Sequence, residues 1–586
     1  MARYKIMARL FDGRELVGYR VLDTHNNIIY DETLGDIKIL AYREQIDGIK
    51  VESSGRIRST NGVYLNSYPR VKIFKNKLDT LKVGEELNEY CKQADNLNHR
   101  YCYKELLQYL YTKTNKVCSI YGLRRTGKSY MMYQAIREIG YEKCVYISLS
   151  KHNNGYDLLN TLKEYSSRGY KYFFIDEITA LEDMFDFIAT LADGYTATGI
   201  HIVISGTYSY KLAMAVGNEL YDRCVFVRTT YVSYDEYVYL MGYTDITDYV
   251  RYGGVLNKST FYDIESTHRY LTTSISDNIQ CSIEKLGRRN LGQFYDLIEM
   301  GLFRRCLEAS IMRANEKLTS DIIIKNFVSE DTGSLIDFIN KNKLKLGFKI
   351  GDKKQHIKEK LNIDINEEQI RYYLHYTNLK DMSSEDRKHL IDEYYDTFLE
   401  LLKRLDLIKF IRHYSVKKWE DNILFTLPGL RYNQVKEAML SFFSNKRFGE
   451  ISVELRNFIM NKLYDDINGQ LVEQILDLKL LSIYGYDNIC KFNGKMGEAE
   501  IDTIVKINNK LIIIETKLNS NIASDQYKHL VDKELLDEVK RVMGYEIVKK
   551  IVVYSGRDCK VSVKNEDIYY VNINSILLNI DKYLSV

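Results

Sequence analysis

One local pattern constrains this chain more than any other. The apolar run Val117–Tyr121 enters Gly122-Leu-Arg-Arg-Thr-Gly-Lys-Ser129, and the helix-compatible stretch Tyr130–Ile139 leaves it. A buried strand must here deliver the chain into the first turn of a helix. The glycines let successive backbone N–H groups curl around an anion, and the helix dipole adds positive potential at the same point. The spacing is GxxxxGK[ST], a phosphate cradle. Gly122, Arg125, Thr126 and Gly127 form its wall, Lys128 reaches the β- and γ-phosphates, and the Ser129 hydroxyl ligates Mg²⁺. ATP and Mg²⁺ are the cofactors this predicts.

A partner element is expected downstream. Tyr172-Phe-Phe-Ile-Asp176-Glu177 is an apolar strand ending in two carboxylates. Asp176 is expected to hold the magnesium through water, and Glu177 to polarise the attacking water. His201–Ile204 runs into Ser205-Gly206-Thr207, where a polar side chain either senses the γ-phosphate or only ends the strand. Arg223 supplies a transition-state charge on one reading and a structural ion pair on the other. With Cys144–Ser148 and Val225–Val227, these runs alternate with helical stretches over residues 90–275, which predicts an α/β parallel sheet.

The rest of the chain is read in the same way. Residues 1–85 are β-rich: Tyr4–Phe11 and Glu15–Leu22 flank the hairpin signal Asp12-Gly13, and Gly48–Glu52, Gly62–Leu65 and Arg70–Phe74 are strand-like. This small domain has no assigned role; its basic end (Arg56, Arg58, Arg70, Lys72, Lys75 and Lys77) reads first as a solvated rim, with a nucleic-acid or protein-partner surface as the alternative. Residues 276–445 are helical. Lys353–Leu361 and Asn366–Tyr376 read as helix-turn-helix, Glu393–Leu405 as an amphipathic helix, and Ile408–Ile411 with Ile423–Phe425 as the strands of a wing. Two glutamates open the second of the paired helices, which favours a scaffold over a DNA reader.

Residues 450–586 carry a second chemical pattern. Glu500-Ile-Asp502-Thr-Ile-Val and Leu511-Ile-Ile-Ile-Glu515-Thr-Lys517 are apolar strands joined through Asn508-Asn509. Asp502 and Glu515 fall on neighbouring strands, and Lys517 shares a face with Glu515 because strand side chains alternate. Two carboxylates can clamp Mg²⁺ while the lysine orients the hydrolytic water.

Composition bounds the function classes. Lys+Arg (83) and Asp+Glu (80) leave a net charge of +3, so no global basic field marks a nucleic-acid binder and any DNA contact must be local. The 9 cysteines are scattered without a CxxC pair, which fits reduced thiols better than a disulfide framework. The N-terminus lacks the apolar run of a signal peptide, and Gly194–Tyr210 is too polar to span a membrane. A cytoplasmic protein without membrane contact is expected; an oligomer stays open.

The sequence also resembles known families. Gly-x-Arg-Arg-x-Gly-Lys-Ser, the Ile-Asp-Glu strand, Ser-Gly-Thr-Tyr-Ser, Val232-Ser-Tyr-Asp-Glu-Tyr237 and Gly253-Gly254 are similar to the bacterial and archaeal AAA-type ATPases over residues 95–275. The resemblance implies a P-loop ATPase core, a helical and winged-helix region, and often a nuclease-like C-terminal domain. Tyr221-Asp222-Arg223 departs from it, where a glycine is expected before the arginine. Residues 450–586 resemble the PD-(D/E)xK nuclease fold, a restriction-endonuclease-like α/β domain. That resemblance implies Asp502, Glu515 and Lys517 as the core site, with Glu473, on a helix opening at Gly469, and Glu500 and Gln526 in support. The reading is a Mg-ATP-dependent ATPase with a nuclease-like domain acting on DNA. The alternatives are an ATP-driven regulator with an inactive nuclease fold, and an assembly protein that binds ATP with little turnover.

Overall fold

The computed structural model describes residues 80–586 apart from 151–152, 154, 182–183, 207–221, 243–244, 257–274, 285–293, 328–382, 444–452, 498 and 586, and within residues 1–79 it describes five strands. These are β1 (Lys5–Phe11), β2 (Glu15–Leu22), β3 (Ile28–Thr33), β4 (Ile49–Val51) and β5 (Ile57–Ser59). β1, β2 and β3 form an antiparallel sheet, and β4 pairs with β5. The hairpin expected around Asp12-Gly13 is present as the β1–β2 pair, with Phe11 opposite Glu15, although the turn itself lies outside the described residues. The runs at Gly62–Leu65 and Arg70–Phe74 lie outside them too.

The second sheet is built from β6 (Leu81–Val83), β7 (Val117–Tyr121), β8 (Cys144–Ser148), β9 (Tyr172–Asp176), β10 (His201–Ser205) and β11 (Cys224–Arg228). Its order is β11-β7-β10-β9-β8-β6, parallel throughout except for the edge strand β6. These strands read as unbroken apolar runs because helices cover both faces. Val145, Ile147, Phe173, Ile175, Ile202 and Ile204 pack against helices Gly155–Ser167 and Met184–Gly194. On the other face Cys118, Ile120, Tyr146, Phe174 and Val203 pack against Tyr103–Tyr111 and Lys128–Ile139.

The helical middle has a separate core around Phe294, Phe303 and Phe398, whose ring centroids lie 5.1–5.3 Å apart. Helix Ser384–Arg404 buries Tyr394, Phe398, Leu401 and Leu402, the stripe its periodicity predicts. The expected helix-turn-helix at 353–376 lies outside the described residues. The expected wing does pair, as β12 (Ile408–Ser415) with β13 (Lys418–Phe425), but it does not stand free. β12 also pairs in parallel with β14 (Ile489–Gly494).

That pairing joins the hairpin to β15 (Ala499–Ile507), β16 (Lys510–Thr516), β17 (Glu546–Tyr554), β18 (Cys559–Val563) and β19 (Glu566–Asn572) in one sheet, ordered β13-β12-β14-β15-β16-β17-β19-β18. The sheet therefore draws strands from both sides of residue 450. Asn508 and Asn509 both sit at positive φ (49° and 61°) between the paired Ile507 and Lys510. A two-residue turn of that hand matches the strand twist and fixes the register that brings Asp502 and Glu515 together. Helix Val453–Tyr484 covers one face, against Ile512, Ile514, Ile551 and Val553, while Lys533–Met543 covers the other. The first of these helices does not open at Gly469 but runs through it. The buried series Ile459, Leu463, Ile467, Leu471 and Val472 continues across the glycine, whose cost of about 1 kcal/mol is too small to break a packed helix.

Candidate functional sites

The loop after β7 has the geometry its motif requires. Gly127 caps helix Lys128–Ile139 in the left-handed region at φ 89°, and Arg125 is also left-handed at φ 64°. Gly122 is held against Thr229: a Cβ there would meet the Thr229 carbonyl oxygen at 2.1 Å, so no other residue fits. Thr126 is fully buried, with its Oγ1 donating to the Leu123 carbonyl at 2.7 Å and 2.8 Å from Thr229 Oγ1. Lys128 Nζ donates to the carbonyls of Gly122 (2.9 Å) and Leu123 (2.8 Å). Burial pushes its ammonium down to about 8, against the opposing pull of Glu177 and Asp176.

Asp176, at the end of β9, meets Ser129 across the sheet. Ser129 Oγ donates to Asp176 Oδ2 at 2.6 Å. Tyr146 on β8 donates to the same oxygen at 3.1 Å, while Ser205 Oγ and the Glu177 N–H serve Oδ1. Four donors thus fix one carboxylate beside a serine hydroxyl, an oxygen pair suited to a hard cation such as Mg²⁺. Glu177 follows in the left-handed conformation (φ 59°, ψ 35°), which turns it off the strand axis directly after Asp176. A non-glycine residue held there is a strained position of the kind that recurs at functional sites. Tyr146 had no sequence signal, since a tyrosine in an apolar strand reads as core.

Ser205 thus bonds to Asp176, and Thr207 lies outside the described residues. Arg223 is excluded from its own site. It precedes β11, whose Cys224 pairs with Val117 at the start of β7, so it stands at the end of the sheet opposite the loop. There it makes an exposed ion pair with Asp193 at 3.2 Å.

Val232-Ser-Tyr-Asp-Glu-Tyr237 acquires a concrete role. Arg100 and Glu236, both almost fully buried, form a two-pronged pair at 2.7 and 3.1 Å. The same guanidinium donates to the Thr126 carbonyl in the loop and to Thr230. Next to it Asp235 pairs with Lys479 of helix Val453–Tyr484 at 2.8 Å, and Tyr234 donates to Asn574 at 2.8 Å. This short stretch ties the phosphate loop to the C-terminal sheet's helices.

The second site forms where β15 begins and β16 ends. Asp502 Oδ2 accepts from the Thr516 N–H at 2.7 Å, and Lys517 Nζ lies 2.9 Å from Glu515 Oε2 and 3.4 Å from Asp502 Oδ2. The three residues expected to meet do meet. Burial would lower the Lys517 ammonium, but Asp502 and Glu515 overcome it and hold the lysine above its ordinary value. Burial, then the neighbouring Asp502, pushes Glu515 up. The other Glu515 oxygen, Oε1, is buried without a hydrogen bond and faces His529 Nδ1 at 3.6 Å. A divalent cation would satisfy that oxygen, and Mg²⁺ is commonly held by one or two carboxylates with water completing its shell.

The expected supporting residues divide. Glu473 is engaged by Lys491, which also pairs with Asp477 at 3.2 Å; Thr503 donates to Asp477 at 2.6 Å. Glu473 is thus part of a buried three-membered ion cluster and not a free ligand. Glu500 lines the same cleft. Gln526 points elsewhere: its amide binds the Asn521 carbonyl and caps its own turn. Among the described residues, no group of three or more His, Cys, Asp or Glu side chains is placed to hold a metal ion, so the site is a two-carboxylate one. Lys491, Asp477 and His529 were not legible, because each meets the site only through tertiary packing. Also among the described residues, no helix is long and apolar enough to cross a membrane.

Comparison with known proteins bears on the first site. Residues 114–238 match the family described as AAA domain. Over 114 residues the chain is 32% identical to an uncharacterized protein of Methanocaldococcus jannaschii; the stretch is 19% of this chain, and it covers only 25% of that relative. Among solved structures, the Aeropyrum pernix ORC1 protein in complex with DNA aligns over 61% of this chain and 97% of its own, at 11% identity and a TM-score of 0.23. A DNA replication initiation factor aligns over 57% and 96%, at 12% identity and a TM-score of 0.19. Scores that low leave fold and function to be argued from the chain itself. The α/β parallel core and the matched family agree on a P-loop nucleotide-binding domain of AAA type.

Proposed function

We propose that this chain is a Mg-ATP-dependent AAA-type ATPase whose nucleotide cycle serves a nuclease-like C-terminal sheet acting on DNA. One observation carries the ATPase reading: Ser129 Oγ and Asp176 Oδ2 lie 2.6 Å apart beside a lysine whose ammonium, among the described residues, bonds only to loop carbonyls. On binding, Lys128 exchanges those carbonyls for phosphate oxygens, a charge-assisted contact. Ser129 and Asp176 would hold a Mg²⁺, which would neutralise phosphate charge. Glu177 accepts a proton from the attacking water.

At the second site Asp502 and Glu515 would hold a divalent cation, which lowers the pKa of a bound water. Lys517 keeps that water beside the phosphodiester. The site opens into a cleft of about 1410 Å³, large enough for a strand of nucleic acid.

A second reading, an ATP-driven regulator with no nuclease activity, is favoured by the engagement of Glu473 with Lys491. DNA cleavage in Mg²⁺ or Mn²⁺, with and without ATP, decides between them. Metal-dependent cleavage lost in Lys517→Ala supports the main reading; ATP turnover without cleavage supports the regulator.

A further inference from the structure

The cleft that holds Asp502, Glu515 and Lys517 is lined by five lysines and arginines among the described residues. Four are neutralised: Arg313 by Asp392, Lys462 by Asp466, Lys491 by Glu473 and Asp477, and Lys517 by Glu515 and Asp502. Arg431 is the exception. It stands in the first turn of helix Pro428–Phe443 and is only 4% exposed. Its Nη1 donates to the Ile423 carbonyl at 3.2 Å and to the Gln474 side chain, and its guanidinium lies 5.3 Å from the Phe425 ring. No carboxylate reaches it among the described residues, and its Nε is buried without an acceptor.

Buried charges are otherwise paired, because an isolated one is costly to take out of water. A lysine could relieve that cost by losing its proton, but arginine keeps its charge. Burial alone, with no compensating anion, pushes Arg431 down to about 9. The fold therefore maintains a desolvated positive charge with unused donors in the wall of a cleft that contains a hydrolytic constellation. A guanidinium's planar fork matches phosphate geometry.

We propose that Arg431 is an anion subsite that takes a backbone phosphate of the nucleic-acid strand whose scissile bond lies at Asp502, Glu515 and Lys517. This rests on the nuclease-like reading for the identity of the strand, but not for the existence of the subsite. Its neighbour Gln474 adjoins Glu473 on helix Val453–Tyr484, so the subsite and the ion cluster share one rigid element.

The test uses the full chain in a Lys128→Met background, which removes phosphate binding at the loop. A fluorescent single-stranded oligodeoxynucleotide is titrated at several salt concentrations. Arg431→Gln should weaken binding about tenfold or more, the scale of a hydrogen bond to a charged group, and lower the salt slope by about one phosphate contact. Wild-type affinity and slope in Arg431→Gln overturn the proposal. A second measurement leaves Arg431 intact: inorganic phosphate should raise the unfolding midpoint in the Lys128→Met background, and no rise overturns the subsite. Binding of a fluorescent oligoglutamate without any binding of the oligonucleotide also overturns it, in favour of an acidic peptide. With Lys128 intact and ATP present, binding through Arg431 without metal-dependent cleavage leaves the subsite standing and removes the nuclease reading. Cleavage unaffected by Arg431→Gln does the reverse.

Discussion

Lys128 and Lys517 each lie beyond the end of a buried strand, close to a pair of acidic residues, yet the two are bonded in opposite ways. Lys128 spends its hydrogen bonds on carbonyl oxygens, and its charge is left to be met by whatever enters the loop. Lys517 is already met by Glu515 and Asp502. The carboxylates differ in the same sense. Asp176 is served by four neutral donors, whereas Glu515 keeps a buried oxygen without a hydrogen bond. On the proposed function the uncompensated group decides what each site would accept: an anion at Lys128, a cation at Glu515. Similar residue types thus differ in their hydrogen bonding, and on that difference rests our proposal of a phosphate site at one and a metal site at the other.

The comparison is broken most directly at the proposed metal site. Asp502→Ala should eliminate metal-dependent cleavage, leave ATP affinity unchanged, and weaken calorimetric Mn²⁺ binding more than Lys517→Ala does. Equal Mn²⁺ binding by the wild type and Asp502→Ala would make the C-terminal sheet nuclease-like in shape only. At the phosphate site, Glu177→Gln should keep ATP bound and slow turnover by about 10²–10⁴-fold, the usual contribution of a general base. Unchanged turnover assigns the water to another group.

A stability measurement then sharpens the contrast. Lys517→Met strips the counter-charge from two buried carboxylates. A fully enclosed pair broken this way loses about 3–5 kcal/mol, and the solvent that reaches a third of Lys517 reduces this to roughly 1–3 kcal/mol. Lys128→Met removes an ammonium that burial already disfavours, so the nucleotide-free protein should unfold at the same temperature or higher. Chemical denaturation of the two variants side by side checks the sign. A loss of stability in both refutes the idea that Lys128 is uncompensated.

What the sequence could and could not reveal follows the distance over which each feature is encoded. The loop, the Asp176-Glu177 strand end and the Asp502–Lys517 hairpin are written within a few residues, and the structure assembles all three. Arg100 was silent because Glu236, which gives it meaning, lies 136 positions away. Tyr146 and Lys491 are equally mute until neighbouring elements pack on them. The β12–β13 hairpin was recognised but its partner was not: pairing with β14 joins residues 412 and 490 across a long stretch of other structure. Its turn is also atypical, with Val416 and Lys417 at positive φ (48° and 61°), where a β-branched residue is strained. Asn508-Asn509 makes the same turn with residues that favour it, which is why that hairpin could be read and aligned.

The smallest effect expected is a pH dependence, and its sign comes from Lys128. Its ammonium titrates at about 8 in the nucleotide-free fold and at the ordinary lysine value of 10.5 when unfolded. Between those values the unfolded chain holds more protons, so the nucleotide-free protein should gain stability as pH rises from about 8 to 10.5. Nucleotide affinity should move the other way. ATP needs the charged lysine, so above pH 8 its binding must be accompanied by proton uptake, and affinity should fall by up to about tenfold per pH unit. Calorimetric ATP titrations near pH 7 and pH 9, in two buffers of different ionisation enthalpy, measure both quantities. Proton uptake at pH 9 that vanishes in Lys128→Arg, whose guanidinium stays charged and can still meet the phosphates, assigns it to this lysine. Uptake that persists in the variant places the titrating group elsewhere and removes the contrast with Lys517.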